Sequence, residues 1–534
     1  MDARCWPFKN LHPENRGPLK KRNPYYRWHK SAVIARAALC AAGILILGPA
    51  PLRAENVLRI CDDAEDPMTL DPHRQFSEKN HTLVQQIFDG IVRFNPEGEI
   101  EPALAVSWHR ISDTVMRFNL RKNVRFHNGE SFDAESVQFS INRYLNPKTA
   151  FPAFGYIRSL KRVDIIDSHT IDLVTHTPDG LLMNRLAGFI LIVPKAYYSK
   201  HSLEHLKRNP IGTGAFRFTR WQTGNRVELQ GNSEYWVKGL PTIDKLVFEF
   251  LPYSEQVDAL LAGKLDIITH VPGTRTLEVQ QNPSTRIIKK PALFTMAANF
   301  NMNHPPLDDL RVRKAINLAV NVDDLIRYDI FGNGIAIGTL SLPGEPGNDP
   351  SIKPYPFDLK EAKRLMRKSG HEKGFTLRTL LKVNAERTGR ILAKQLLKIG
   401  IHLDFTLMSD AELYASLKDR KLWDMAIYSC PDPMHHAHFI RSIFLDGKSP
   451  FSLTADPDVD SRIAKIESTI DEHERDELSR ELDRLIHNKY LALPTYQRLG
   501  VVGLKNGVDF TPYKSGMPYL FSTRAATEKK HASP

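Results

Sequence analysis

Residues 68–108 read MTLDPHRQFSEKNHTLVQQIFDGIVRFNPEGEIEPALAVSW, and this stretch decides the class of fold. Ser77 is a suitable N-cap residue, and apolar side chains then recur at helical spacing from Leu83 to Phe88. Gly90 is placed to end that helix. The stretch predicts one amphipathic helix, and such periodicity reports burial without indicating any chemistry.

The chain continues with strand, hairpin and helix signals. Met116, Phe118 and Leu120 alternate with polar neighbours, which predicts a half-buried strand. Asp133 precedes a run with one apolar side that extends to Tyr144, which indicates a second helix. Hairpins are predicted to join residues 163–166 to 171–174 and residues 215–221 to 226–230. This irregular alternation predicts a mixed α/β fold.

The first 54 residues have the pattern of a secretory signal. Ten Lys and Arg side chains stand against two Asp and Glu side chains, and residues 37–47 form an apolar run. A membrane-spanning helix needs about 20 apolar residues, so this run is too short to cross a bilayer. We expect export and cleavage after Ala54, with Ala50 as the alternative.

The charge balance argues against nucleic-acid binding. The formal net charge is +12, but the first 54 residues contribute +8 of it. The rest of the chain has 63 basic and 59 acidic side chains, a net charge of +4. A protein that follows a phosphate backbone needs a clustered basic face, so we exclude DNA and RNA as partners.

Several separated landmarks occur in a fixed order along the chain. They are residues 70–72 (LDP), 88–92 (FDGIV), 102–108 (PALAVSW), 209–216 (NPIGTGAF), 308–317 (DDLRVRKAIN) and 422–433 (LWDMAIYSCPDP). Together these landmarks resemble those of the family 5 extracellular solute-binding proteins, the dipeptide-, oligopeptide- and nickel-binding class that serves ABC importers. The resemblance covers residues 57–520.

The resemblance implies a two-lobe α/β periplasmic binding protein with an enlarged first lobe and a hinged cleft. Lobe I is expected to comprise residues 55–297 and 497–534, including an extra subdomain at about residues 100–210, and lobe II residues 298–496. The resemblance also implies a monomer without a cofactor. Its partners would be inner-membrane ABC permease subunits that work with separate ATPase subunits.

Two cysteines, Cys61 and Cys430, remain after the leader is removed. In the resembling family their segments approach the cleft from different lobes, so a disulfide between them would restrain opening. An oxidising compartment permits that bond. Two unpaired, partly buried thiols are the default expectation.

The segment 422–433 is expected to reach the ligand cleft. By the resemblance, Tyr428, Cys430 and Asp432 are candidate ligand-binding residues, and the loop before residue 72 adds Met68. Peptide-binding relatives insert a Trp and an acidic residue before this Asp-Pro, and that acid pairs with the ligand's ammonium group. This chain lacks both residues. A peptide would therefore need Asp432 or another carboxylate, because a desolvated ammonium requires an opposite charge.

Three histidines, His435, His436 and His438, follow Asp432. Relatives that capture nickel chelates also carry a His near this point, and neutral imidazole binds late first-row metals. On one helix only His435 and His438 share a face, so this pair is the candidate metal site. A hydrogen-bonding pocket wall, or a purely structural role, is the alternative for all three.

Motifs for catalysis are missing from the sequence. There is no Gly-x-Ser-x-Gly elbow and no His-Glu-x-x-His helix. A secreted metallohydrolase built on Asp432 and the histidines is the remaining enzymatic alternative. The sequence therefore predicts a binding protein that is not an enzyme and whose solute is a short peptide. A nickel or other metal chelate is the second candidate, followed by opines, sugars or other small organic solutes.

Overall fold

The computed structural model of the chain describes residues 55–417, 419–453 and 455–526. The predicted signal peptide, residues 1–54, lies outside the described residues. In the described part, no helix has both the length and the apolar character needed to cross a membrane.

Strands form three sheets within the described residues. They are β1 (Val57–Cys61), β2 (Val92–Phe94), β3 (Ile100–Pro102), β4 (Ala105–Ser112), β5 (Val115–Leu120), β6 (Leu160–Asp167), β7 (Thr170–Thr175), β8 (Phe216–Gln222), β9 (Arg226–Gly231), β10 (Lys245–Glu249), β11 (Ile267–Ile268), β12 (Thr285–Phe300), β13 (Gly334–Ala336), β14 (Phe375–Lys382), β15 (Ile401–Met408), β16 (Met425–Pro431) and β17 (Ala492–Lys505). The largest sheet has the order β15-β14-β16-β12-β17-β11-β1-β10-β9-β8, with β13 also paired to β17. The smaller sheets are β2-β3 and β4-β5-β7-β6.

Helices alternate irregularly with these strands along the chain. They are α1 (Glu78–Val84), α2 (Ala134–Leu145), α3 (Phe154–Ile157), α4 (Leu182–Phe189), α5 (Lys195–Lys200), α6 (Leu203–Arg208), α7 (Tyr253–Leu261), α8 (Thr276–Gln281), α9 (Leu310–Ala319), α10 (Val322–Tyr328), α11 (Leu359–Lys368), α12 (Glu386–Leu396), α13 (Asp410–Ser416), α14 (His438–Leu445), α15 (Pro457–Ser468) and α16 (Glu472–Asn488). The mixed α/β class predicted from the sequence is confirmed.

Two long antiparallel strands, β12 and β17, connect the two ends of the large sheet. Their pairing runs from Thr285 opposite Lys505 to Asn299 opposite Ala492. The register shifts between Pro291 and Thr295 and again just beyond Met296. Bulges of this kind bend a strand pair, and a proline cannot donate to the ladder. The hinge expected between the lobes falls on this irregular stretch and stays a prediction.

Local signals in the sequence account for several element boundaries. The Ser77 hydroxyl accepts a hydrogen bond from the Asn80 N–H, and the Asp133 carboxylate accepts one from the Ser136 N–H, so both predicted N-caps are confirmed. Asp309 caps α9, and its side chain accepts a hydrogen bond from the Arg311 N–H.

Gly90 does not cap α1, contrary to the sequence-based expectation. The helix ends at Val84, and Gly90 is absent from the glycines with positive φ. A Cβ atom at Gly90 would lie 2.7 Å from the carbonyl oxygen of Ile190. Glycine is therefore needed here because another segment passes close to the backbone.

Separate buried clusters fill the lobes. In lobe I the cluster around Leu58 includes tail residues 519–521, and Gln85 Nε2 donates to the carbonyl oxygens of Met517 and Pro518, each at 2.9 Å. A lobe II cluster packs α9, α11 and α12 against β12, β14 and β16. A third cluster joins the sheet β4-β5-β7-β6, with α2 and α4, to helices α14, α15 and α16. Apolar contacts therefore extend across the two lobes.

Candidate functional site

Asp432 lies fully buried just after β16 and fixes a turn. Its Oδ1 accepts a hydrogen bond from the Met434 N–H at 2.7 Å, and its Oδ2 accepts one from the His436 N–H at 3.0 Å. Burial raises the pKa of Asp432 to about 6. Burial, followed by the Asp432 charge, raises the pKa of the neighbouring Glu345 well above its usual range. Both oxygens of the Asp432 carboxylate therefore already accept hydrogen bonds from backbone N–H groups.

His435 packs between the lobes as an aromatic side chain. Its ring stacks on Phe94 with the centroids 3.9 Å apart and the planes 9° apart. Neither ring nitrogen has a hydrogen-bond partner among the described residues, and the residue is 3% exposed. Burial, with a smaller effect from Lys514, lowers the pKa of His435 to about 3. This imidazole is therefore neutral throughout the physiological range.

His435→Phe should make the protein less sensitive to acid, because it keeps the ring and removes the titration. The folded-state pKa of His435 is about 3, whereas the unfolded value is about 6.5. The unfolded chain therefore gains a proton as the pH falls below about 6.5, and the stability present above that pH is lost. Between pH 7 and pH 5 the variant should lose about 2 kcal/mol less unfolding free energy than the native protein, as measured by urea unfolding. Equal losses in the two proteins would contradict the buried, neutral state.

His436 and His438 each contact an acidic side chain and do not turn toward a shared metal position. His436 Nε2 lies 3.8 Å from Asp476 Oδ1, and His438 Nε2 lies 3.3 Å from Glu467 Oε1. Burial lowers the pKa of His436 well below its usual value. In the part of the chain that the structure describes, no group of three or more His, Cys, Asp or Glu side chains is arranged to hold a metal ion.

Tyr428 and Cys430 lie buried on β16. The Tyr428 ring stacks on Phe444 with the centroids 4.6 Å apart. The Cys430 and Cys61 thiols are both unpaired and buried, so the structure contains no disulfide between them. Burial, followed by the Asp432 charge, raises the pKa of Cys430 far above its ordinary value, which makes the thiol unreactive.

Met68 is 71% exposed on the loop that leads to α1. No hydrogen bond or ring contact among the described residues joins Met68 to the segment 428–438. The structure therefore brings Asp432 and the three histidines together but leaves Met68 apart. Their contact with a ligand stays a prediction.

A charged cluster that sequence patterns do not single out lies where α1 begins. Lys79 Nζ lies 3.2 Å from Asp62 Oδ1 and 3.7 Å from Glu78 Oε1. The Thr269 hydroxyl donates to the same Asp62 oxygen at 2.5 Å. The Glu78 and Lys79 side chains remain 17% and 25% exposed, so water reaches them although protein surrounds them. This pattern is typical of groups in a crevice.

Arg498 extends this charged cluster onto the hinge strand β17. Its Nη2 lies 3.1 Å from His270 Nδ1, and its guanidinium carbon lies 5.1 Å from the centre of the Phe294 ring. Burial raises the pKa of Glu78, and nearby cations that include Arg498 and Lys382 oppose that shift. Asp62, Glu78 and Lys79 therefore form one group of charged side chains beside α1, and the charges of Arg498 and Lys382 act on Glu78.

The family follows from comparison with known proteins. Residues 99–450, well over half of the chain, match the bacterial extracellular solute-binding proteins, family 5. The chain belongs to this family. The family and the two-lobe fold predicted from the sequence are thereby confirmed.

Relatives of this family 5 protein share its length and fold. Di/tripeptide-binding protein 2 of Pseudomonas aeruginosa is 27% identical over 478 residues, which cover 82% of this chain and 89% of the relative. A glutathione-binding protein of Pectobacterium atrosepticum is 25% identical over 405 residues, covering 72% and 76%. The ABC transporter-associated periplasmic binding protein of Helicobacter pylori, solved with the peptide STSA, aligns with a TM-score of 0.76 at 24% identity, covering 89% of this chain and 98% of that one.

The lobes of this solute-binding protein also touch away from the charged cluster. Asn184 Nδ2 donates to the Met434 carbonyl oxygen at 2.8 Å, and the Gly180 N–H donates to the Glu467 carbonyl oxygen at 2.7 Å. Arg185 Nη2 lies 2.8 Å from Glu467 Oε1. These contacts join α4 and the residues before it to residues 434 and 467.

Proposed function

We propose that the chain binds short peptides in the periplasm and delivers them, as a monomer, to inner-membrane ABC permease subunits served by separate ATPase subunits. The observation that carries this proposal is the group of charged side chains beside α1, where Lys79 Nζ lies 3.2 Å from Asp62 Oδ1 and the Glu78 side chain keeps 17% of its surface exposed. A short peptide carries an ammonium and a carboxylate group. Each requires an opposite charge when it leaves water. The di/tripeptide- and glutathione-binding relatives support the same class of solute.

Lobe closure converts binding into a signal for the permease. An open state exposes the cleft, and a peptide that touches both lobes binds the closed state more tightly. The population then shifts toward the closed state in proportion to that difference in affinity. In this proposal the chain makes and breaks no covalent bond, so it acts as a carrier and not as an enzyme.

The alternatives with a metal receive less support from the geometry. A nickel chelate or a metallohydrolase centre requires imidazoles that reach a common ion. His435 stacks on Phe94, whereas His438 faces Glu467, and both histidines are at most 3% exposed. The His435 and His438 side chains therefore contribute to packing between the lobes.

Native mass spectrometry and calorimetry test the proposed function. Protein that lacks residues 1–54 should carry peptide adducts of a few residues when it is purified from a periplasmic extract. After it is stripped by unfolding and refolding, it should bind di-alanine, tri-alanine or glutathione saturably, and each peptide should be recovered unchanged. A nickel-containing adduct, or consumption of the peptides, would instead favour one of the alternatives.

A further inference from the structure

Arg185 of α4 is held in position by its own part of the chain. Its Nε lies 3.0 Å from Asp179 Oδ2, and its Nη1 donates to the Tyr156 carbonyl oxygen at 2.6 Å. The Arg185 and Asp179 side chains are 5% and 3% exposed. Because the guanidinium is planar, these two contacts fix the direction of the remaining nitrogen, Nη2. Asp179 balances the positive charge, and Nη2 is left to contact a group from another segment.

Glu467 of α15 is the group that contacts this nitrogen. Its Oε1 lies 2.8 Å from Arg185 Nη2 and 3.3 Å from His438 Nε2. The Glu467 side chain is 24% exposed, so water reaches it. If the two segments separated, Arg185 would keep its contact with Asp179, and Glu467 would keep water and His438. Separation therefore leaves no unpaired buried charge, which is the condition that makes the loss of a buried ion pair costly.

The contacts around this ion pair join the same two parts of the chain. The Gly180 N–H donates to the Glu467 carbonyl oxygen at 2.7 Å. The rings of Tyr156 and Phe439 lie 4.7 Å apart between their centroids. In both contacts the first residue belongs to the expected lobe I and the second to the expected lobe II. A rotation of one lobe about the expected hinge would therefore break these contacts together with the ion pair.

We propose that the Arg185–Glu467 ion pair is a latch between the lobes, which keeps a fraction of the protein closed before any solute arrives. This inference depends on the two-lobe fold and not on which solute is bound. Each half of the latch is assembled within its own lobe, so the contact can form and break without refolding either lobe. A solute that binds the closed state gains affinity in proportion to the fraction already closed. The latch should therefore raise the affinity for every solute by the same factor.

Hydrogen exchange at the Gly180 amide measures the latch directly, because this N–H donates to the Glu467 carbonyl oxygen. The amide exchanges when the contact opens, so its rate reports the open fraction. In stripped, solute-free protein, Glu467→Gln should make Gly180 exchange about 10- to 100-fold faster, the range for a lost charge-assisted hydrogen bond. Amides within the β6–β7 hairpin should keep their rates. Mass spectrometry of the peptide fragments that contain Gly180 and the hairpin gives both rates.

Two further variants make the test specific. Glu467→Asp keeps the charge but shortens the side chain by one methylene group, so the carboxylate should withdraw from Arg185 and Gly180 should again exchange faster. Glu474→Gln is the matched control, because it removes a 56% exposed acid whose partner, Lys465 at 3.5 Å, lies in the same lobe. This control should leave the exchange rate of Gly180 unchanged.

The outcomes separate this inference from the proposed function. Equal Gly180 exchange in Glu467→Gln and the native protein, or equal acceleration throughout the β6–β7 hairpin, would overturn the latch and leave peptide capture standing. Calorimetry should show one common loss of affinity for di-alanine and glutathione in Glu467→Gln, and a loss confined to one of them would also overturn the latch. If the native protein bound no peptide, the proposed function would fail, whereas exchange in the solute-free protein would still decide the latch. Should Glu467→Gln fail to fold, as judged by circular dichroism, Glu467→Asp decides the question.

Discussion

Replacing Arg441 with methionine should lower the free energy of unfolding by about 3–5 kcal/mol. The side chains of Arg441 and Asp483 have no exposed surface, and Nη2 lies 2.7 Å from Oδ2. The hydroxyls of Thr339 and Ser341 also donate to Asp483, at 2.7 and 2.6 Å. The substitution leaves these hydrogen bonds but removes the one cation that, among the described residues, forms an ion pair with this buried carboxylate. Urea unfolding followed by circular dichroism and tryptophan fluorescence measures the loss.

A surface ion pair provides the control for this effect. Arg462→Met removes a pair with Asp458 in which the side chains are 41% and 51% exposed, and it should cost less than about 1 kcal/mol. Adding Asp483→Asn to Arg441→Met should recover part of the loss, because it removes the unbalanced charge. Similar losses of unfolding free energy for Arg441→Met and Arg462→Met would show that the loss does not depend on burial of the ion pair.

Gly180→Ala should weaken tri-alanine binding about 5- to 150-fold, which corresponds to an overpacking cost of about 1–3 kcal/mol. A methyl group at Gly180 would overlap the carbonyl oxygen of Thr469 in lobe II. Gly180 has no positive φ, so alanine is compatible with its backbone and the conflict arises only from closure. The substitution raises the free energy of the closed state, and affinity falls with it. Small-angle scattering with saturating tri-alanine should show a larger radius of gyration than for the native protein.

Two further glycines make this test specific. Gly188→Ala would overlap the Pro433 carbonyl oxygen of lobe II and should act in the same direction. Gly155→Ala meets open space on α3 and should leave affinity unchanged. If Gly180→Ala binds and closes like Gly155→Ala, the contact between these segments does not control the closed state.

Features that depend on neighbouring residues are predictable from this sequence. The caps Ser77 and Asp133 bond to N–H groups three residues further on, so the short segment holds the whole signal. The hairpin of β6 and β7 forms as predicted, with Val163 opposite Leu173. The role of Gly90 cannot be predicted from the local sequence, because it depends on a carbonyl group of a distant segment.

The residues of the candidate site also fall into those that sequence analysis finds and those that it misses. Asp432 and the histidines stand next to a family landmark, so sequence analysis finds them, but their burial depends on segments far away in the chain. The contacts that Asp62 makes with Lys79 and Thr269 form because β11 pairs with β1, far away in the chain. A charged residue in a first helical turn or in a strand is common, so neither pattern is distinctive. The position of Glu78 shortly after the loop that carries Met68 is the one signal that points to it.

The tail residues 519–521 complete the buried cluster that begins with Leu58 on the first strand. These residues follow the other members of the cluster in the chain, so the interior of lobe I is closed only once they have packed against Leu58 and its neighbours. The strands of lobe II other than β17 follow one another in the chain after β12. The interior of lobe II therefore does not depend on these last residues. Removal of about a dozen residues from the end of the described chain would therefore leave the interior of lobe I incompletely buried and prone to aggregation.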